Sequence, residues 1–149
     1  MNSIPEDEYE CFTCNIRFKG RVFSITREWE RVDFTKSLPV IEIADAEGLE
    51  CYCSRACLEK RRDEVMAKEG VPIRYPDIGP VESCAKCAEP VDMTEFHLTY
   101  LQDESVDEGT FVSRTIDVDY LAVVCKQCHP RGISQSAYED EAAFNVERA

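Results

Sequence analysis

The sequence predicts a small α+β fold made of two tandem units, each a β-hairpin followed by a helix and each closed by four cysteines. Three observations carry this expectation. Eight of the nine cysteines fall into close pairs, the pairs recur in a second half that echoes the first, and a Pro- and Gly-rich segment lies between the halves.

The pairs are Cys11 and Cys14, Cys53 and Cys57, Cys84 and Cys87, and Cys125 and Cys128, with Cys51 left over. Close pairs suit either disulfides or metal thiolates. The opening stretch MNSIPEDEYE is acidic, with neither a basic region nor an apolar run, so no secretory or mitochondrial signal is expected. The longest unbroken apolar run, Tyr120 to Cys125, falls far short of the roughly 20 residues a membrane span needs. The expected compartment is therefore cytoplasmic and reducing, where paired thiols hold metal rather than each other. A C-x2-C knuckle points two thiolates at one ion, and a second pair from a distant segment completes a tetrahedral site. Four such pairs predict two zinc ions.

The halves match beyond their cysteines. Cys84 follows Cys11 by 73 residues, and both knuckles lead, after eight residues, into a strand-like tetrad, Phe23-Ser24-Ile25-Thr26 or Phe96-His97-Leu98-Thr99. From that Thr to the next cysteine pair there are 26 intervening residues in the first half and 25 in the second. Self-similarity at a fixed period predicts an internal duplication. The stretch from Gly70 to Pro80 holds three Pro and two Gly, which interrupt helices and strands alike. The expected organisation is a first zinc-binding unit at 1–70, a linker at 71–80, and a second, strongly acidic unit at 81–149. Units of this size have marginal apolar cores. Structural zinc contributes about 10 to 16 kcal/mol in finger peptides, as much as a whole domain's stability of about 5 to 15 kcal/mol, so metal loss is expected to unfold a unit.

Within the first half, alternation predicts a strand over Arg21 to Arg27, and aliphatic residues predict another over Leu38 to Ile43. Asp45-Ala46-Glu47-Gly48 reads as a turn. Ser54 is placed to cap a charged helix that runs to about Glu69, with Gly70 to stop it. In the second half, the acidic run Asp103, Glu104, Asp107 and Glu108 reads as the tip of a hairpin between strands carrying Leu98 and Phe111. A long strand is expected from Thr110 to Cys125, with Ile116, Val118 and Tyr120 alternating against Asp117 and Asp119. Ser134 or Ser136 would then cap a C-terminal helix through Ala142, Ala143 and Phe144.

The stretch Tyr52-Cys53-Ser54-Arg55-Ala56-Cys57-Leu58 resembles the YCSxxC or FCSxxC element of treble-clef zinc fingers such as the FCS, MYND and HIT types. In those, a knuckle and a β-hairpin precede a helix whose first turn supplies the last ligand. The resemblance covers residues 11–58, singles out no one family, and implies Cys11, Cys14, Cys53 and Cys57 as the first site. Cys51 could replace Cys53, although a C-x3-C spacing suits a strand end followed by a helical turn. The second site, Cys84, Cys87, Cys125 and Cys128, looks like a zinc ribbon or treble clef with its knuckles 37 residues apart. His129 directly follows Cys128 and either substitutes as a ligand or packs near the site. His97, aligned with Ser24 in the repeat, reads as an exposed or partly packed strand residue.

Four thiolates leave a metal no open position for water or substrate, so each site is expected to be structural. The chain has no H-E-x-x-H, no zinc-deaminase signature, no phosphate loop and no G-x-S-x-G. No enzyme activity is expected. Charge then indicates the kind of partner. Lys and Arg total 17 against 30 Asp and Glu, a net charge of −13, and zinc tetrathiolates would deepen it. Residues 76–149 carry 15 acids and five bases. This opposes binding to a phosphate backbone, which needs neutralising cations. The expected function is a non-catalytic zinc-binding module, adaptor or regulator that contacts protein, offering Asp103, Glu104, Asp107, Glu108, Asp117 and Asp119 to a basic or nucleic-acid-binding partner. Two alternatives stand beside it. Arg17, Lys19, Arg21, Arg55, Lys60, Arg61 and Arg62 could form a nucleic-acid face, or the acidic surface could mimic DNA and inhibit a nucleic-acid-binding protein. No membrane role is expected.

Overall fold

In the computed structural model, which describes residues 8–109 and 112–128, the first knuckle sits on a short strand pair, β1 (Tyr9–Glu10) and β2 (Arg17–Phe18). The chain continues into two 13-residue strands, β3 (Arg21–Asp33) and β4 (Val40–Tyr52), and then helix α1 (Arg55–Glu69). The second half follows the same order. Its knuckle lies on β5 (Val81–Ser83) and β6 (Pro90–Asp92), and two more 13-residue strands follow, β7 (His97–Gly109) and β8 (Val112–Val124). A single 3-10 turn, Lys126–Cys128, stands where α1 stands in the first half. The expected C-terminal helix, and His129, lie outside the described residues. Residues 71–79 carry no helix or strand. The chain is thus a small α+β protein with one helix among the described residues and two cysteine clusters.

The four long strands form one antiparallel sheet in the order β4-β3-β7-β8. Its middle seam joins the halves, with β3 running against β7 from Arg21↔Val106 to Glu30↔His97. Both outer hairpins carry bulges at matching places. In β4 the residues that drop out of register with β3 are Leu49 and Ala44; in β8 those that drop out against β7 are Leu121 and Ile116, each 72 residues further on. The ladder does not follow the sequence repeat everywhere. Phe23 pairs with Tyr52 just before Cys53, but the residue pairing with Val124 just before Cys125 is Leu98, not Phe96. The two-residue slip keeps every side chain on its own face, because strand side chains alternate with period two.

Two sequence expectations change here. Asp45 to Gly48 is not a turn but the middle of β4, where Glu47 accepts from Arg27 Nη2 at 2.6 Å and the bulge at Leu49 absorbs the bend that Gly48 signals. The reversal is instead at 34–39, where the Asp33 carboxylate accepts from Thr35 N at 2.8 Å. Likewise, the run Asp103 to Glu108 is not a hairpin tip but the body of β7, which continues to Gly109.

Helix α1 packs on one face of the sheet. Leu58, Val65 and Met66 of the helix belong to one buried cluster with Phe23, Ile25, Trp29, Leu98 and Tyr100. Burial of large apolar side chains of this kind stabilises a fold by about 1.5 to 3 kcal/mol each. As expected, Ser54 Oγ accepts from Cys57 N at 3.1 Å, and Gly70 ends the helix in the left-handed conformation, φ 71°, where a Cβ would be strained. Polar groups also join this face. Arg27, nearly buried, bonds Glu69 at 2.8 Å, and the Tyr100 hydroxyl donates to the same carboxylate at 2.9 Å. One helical carboxylate thereby ties α1 to both central strands.

Candidate metal centres

Each knuckle is held by the same backbone bonds. Cys11 N donates to Ile16 O at 2.9 Å and Asn15 N to Cys11 O at 2.8 Å; 73 residues on, Cys84 N donates to Glu89 O at 2.8 Å and Ala88 N to Cys84 O at 2.9 Å. The tight turn puts Asn15 at φ 64° and Ala88 at φ 66°. Asn tolerates that region, whereas Ala adopts it at a cost of roughly 1 to 2 kcal/mol.

The distant pairs arrive from the outer strands. Cys53 follows the end of β4 and Cys57 lies in the first turn of α1, where Thr13 Oγ1 reaches from the knuckle to Cys57 O at 2.7 Å. Cys125 follows β8, and Cys128 closes the 3-10 turn. The sulfurs of Cys11, Cys14, Cys53 and Cys57 all lie within 4.8 Å of one another, as do those of Cys84, Cys87, Cys125 and Cys128. Individual separations are 3.6 Å for Cys14 to Cys53, 3.9 Å for Cys53 to Cys57 and 3.7 Å for Cys87 to Cys125. A tetrahedron of sulfurs each about 2.3 Å from a central ion has edges of about 3.8 Å. The two groups can each hold a metal ion, as zinc-finger-like units do.

The electrostatics of the two groups also correspond. Burial opposes ionisation of Cys11, but the amides of Cys14, Cys53 and Thr13 outweigh it and bring the thiol down to about 6. Cys84 is likewise disfavoured by burial and brought down to about 6 by the amides of Cys125, Cys87 and Lys86; Cys125 N lies 3.4 Å from its sulfur. Cys53, by burial and by donating to its neighbouring thiols, is pushed up to about 12, and Cys128, by donating to Cys87 and Cys125, also to about 12. In each group the inner sulfur is the easier to ionise and the outer one the harder, so a bound metal would displace the outer proton.

Cys51 stands outside the first group. It faces the opposite side of β4 from Tyr52, its thiol donates to Glu10 O at 3.4 Å, and its own carbonyl accepts from Phe12 N at 3.1 Å. Cys51→Ser is therefore expected to retain two metal ions and Cys53→Ser fewer than two, counted by native mass spectrometry.

The six acids offered as a partner surface lie on β7 and β8 and do not share one face. Glu104 pairs with Arg21 at 2.9 Å and with Arg55 at 3.9 Å, and Asp117 pairs with Arg55 at 3.3 Å. Glu108 pairs with Arg114, Asp119 accepts from Gln102 at 3.1 Å, and Asp107 accepts from the Tyr9 hydroxyl at 3.4 Å. Asp103 is on the sheet face opposite α1, where burial and then the charge of Glu28 push it up to about 6. The basic residues of the first half are engaged as well. Arg61 holds Glu50 at 2.7 Å and Glu64 at 3.1 Å, and Arg62 lies 3.7 Å from Asp63. Sequence reasoning read His97 as an exposed or partly packed strand residue and gave Glu30 no role, and the structure corrects both. Glu30, His97 and Thr99 are buried on the face opposite α1, brought together by the β3–β7 pairing, which strand alternation alone does not reveal.

No family model matches the chain. Nor does any curated protein or solved structure. No helix among the described residues is long and apolar enough to cross a membrane.

Proposed function

We propose that this chain is a non-catalytic, zinc-stapled protein-interaction module, acting as an adaptor or regulator for a basic partner. The observation that carries the reading is the pair of four-cysteine groups. Each supplies four sulfurs at tetrahedral spacing, which leaves the ion no position for substrate or water. Thiolate ligands and tetrahedral spacing favour zinc, and all nine cysteines are free of disulfides, in keeping with a reducing, cytoplasmic setting. The first centre follows the treble-clef pattern, with Cys57 in the first turn of a capped helix, and the second is ribbon-like. The palindromic strand order and the bulges at 44, 49, 116 and 121 support descent of the two units from one ancestor.

Charge supports a basic protein rather than nucleic acid as the partner. The chain is at −13, and Arg21, Arg55 and Arg61 are held by Glu104, Asp117 and Glu50 rather than presented to phosphate. The test is native mass spectrometry of the tagged protein from host extract at moderate salt, with Asp107→Asn and Glu108→Gln as a paired variant. Two zinc ions and a basic protein that the variant loses are the expected result. Copurifying nucleic acid, released by salt and by neutralising Arg17, Lys19 and Lys60, would replace this reading with a nucleic-acid one.

A further inference from the structure

Opposite α1, the central seam of the sheet carries polar groups with nothing to bond. Glu30 is fully buried, and neither carboxylate oxygen has a hydrogen-bond partner. Its cross-strand neighbour is His97, 1 % exposed, whose Nδ1 lies 2.8 Å from Glu95 O. That contact makes Nδ1 the protonated nitrogen, because a carbonyl can only accept. The lone pair is left on Nε2, which is buried and without a partner. Two residues along the same face, Glu28 sits opposite Thr99, whose buried hydroxyl makes no hydrogen bond of normal length, although it lies close enough to Glu30 to favour the ionised carboxylate.

Buried polar atoms in native proteins are satisfied by protein, water or an ion. Here each unmatched group can offer an electron pair to a cation: the Glu30 carboxyl group once ionised, an imidazole nitrogen oriented by a backbone carbonyl, and a hydroxyl oxygen. A ligating histidine characteristically bonds a carbonyl or carboxylate through its other nitrogen. We propose a third cation site, distinct from the cysteine centres, in which Glu30 and His97 Nε2 bind a divalent ion of the zinc type across the β3–β7 seam, with water completing its shell. Nitrogen and oxygen ligands suit zinc but bind it more weakly than four thiolates. The ion would neutralise Glu30, whose ionisation burial and the charge of Glu28 oppose, and it would tie the two halves where they meet. The proposal goes beyond the interaction-module reading and does not depend on any partner.

The test uses the intact chain with both cysteine centres loaded, equilibrated in zinc buffers up to micromolar free metal. Three zinc equivalents are expected for the native sequence and two for Glu30→Gln and for His97→Gln. The cobalt-substituted thiolate absorption should be unchanged in both variants, which shows that they still fold. Since the chain has two histidines, His97 and His129, their imidazole nitrogens are also readily resolved by NMR. Micromolar zinc should shift the Nε2 signal of His97, and His129→Ala should leave that shift in place. Two equivalents in the native protein, a third equivalent that survives Glu30→Gln, or an unmoved His97 signal would each overturn the site.

Discussion

Withdrawing metal from either cysteine centre should unfold the whole described sheet in one transition. The β3–β7 ladder places one strand of each half at the middle of the sheet, and Glu69 of the first half bonds Tyr100 of the second at 2.9 Å. Neither hairpin can melt without exposing an edge of the other and the apolar cluster that spans both. A structural zinc contributes about 10 to 16 kcal/mol, at least as much as the net stability of a typical domain, so loss of one ion removes the margin for both halves. Cys84→Ser should therefore abolish the burial of Trp29, which belongs to the other half. Fluorescence of that tryptophan, the chain's sole one, reads the result directly. A variant that lost its second half but kept Trp29 buried would show that the units fold independently. This prediction replaces unit-by-unit unfolding, the expectation from the cysteine pattern alone.

Glu30→Gln should stabilise the protein and flatten its stability against pH. Burial pushes the Glu30 carboxyl up to about 8, with nearby Glu28 adding to the shift and Thr99 opposing it. His97 faces it from β7, and Tyr120 of β8 is raised by burial and by the charges of both glutamates. An acid raised on folding binds more protons folded than unfolded, so its contribution is complete below the ordinary carboxyl range and fades as pH rises through about 8. The whole effect is on the order of 5 kcal/mol, of which roughly 2 kcal/mol falls above pH 6.5. His97, lowered by burial, has the opposite slope, but it acts below about pH 6.5, so the two separate. Urea melts at pH 6.5 to 8.5, with zinc buffered low enough to load thiolates alone, should show falling stability in the native chain and a nearly flat line in the variant. A native profile that rises with pH would mean that Glu30 is ionised in the fold.

What the sequence made legible was local. Knuckle spacing, the Ser54 cap and the Gly70 stop each depend on a few adjacent residues, and each stands where it was expected. Residues 71–79 carry no regular element, but Arg74 N and Tyr75 N donate to Leu121 O and Val71 is buried. What it hid was pairing. Nothing in the composition of Arg21 to Asp33 says that its second neighbour is β7, because alternation fixes the face of a strand and not its partner. Gly48 and the acids around it imitate a turn because an exposed edge strand tolerates both. His97 looked peripheral for the same reason: its burial comes from a sheet assembled across 67 residues of sequence, between Glu30 and itself.

The mirrored order β4-β3-β7-β8 also bears on concentration. Taken alone, either hairpin would end at a strand that is central in the sheet, with an open edge that the other hairpin covers. Two such hairpins on separate chains would assemble at high concentration and come apart when dilute. Here one chain carries both, so the encounter is intramolecular and the assembled sheet does not depend on how much of the protein a cell contains.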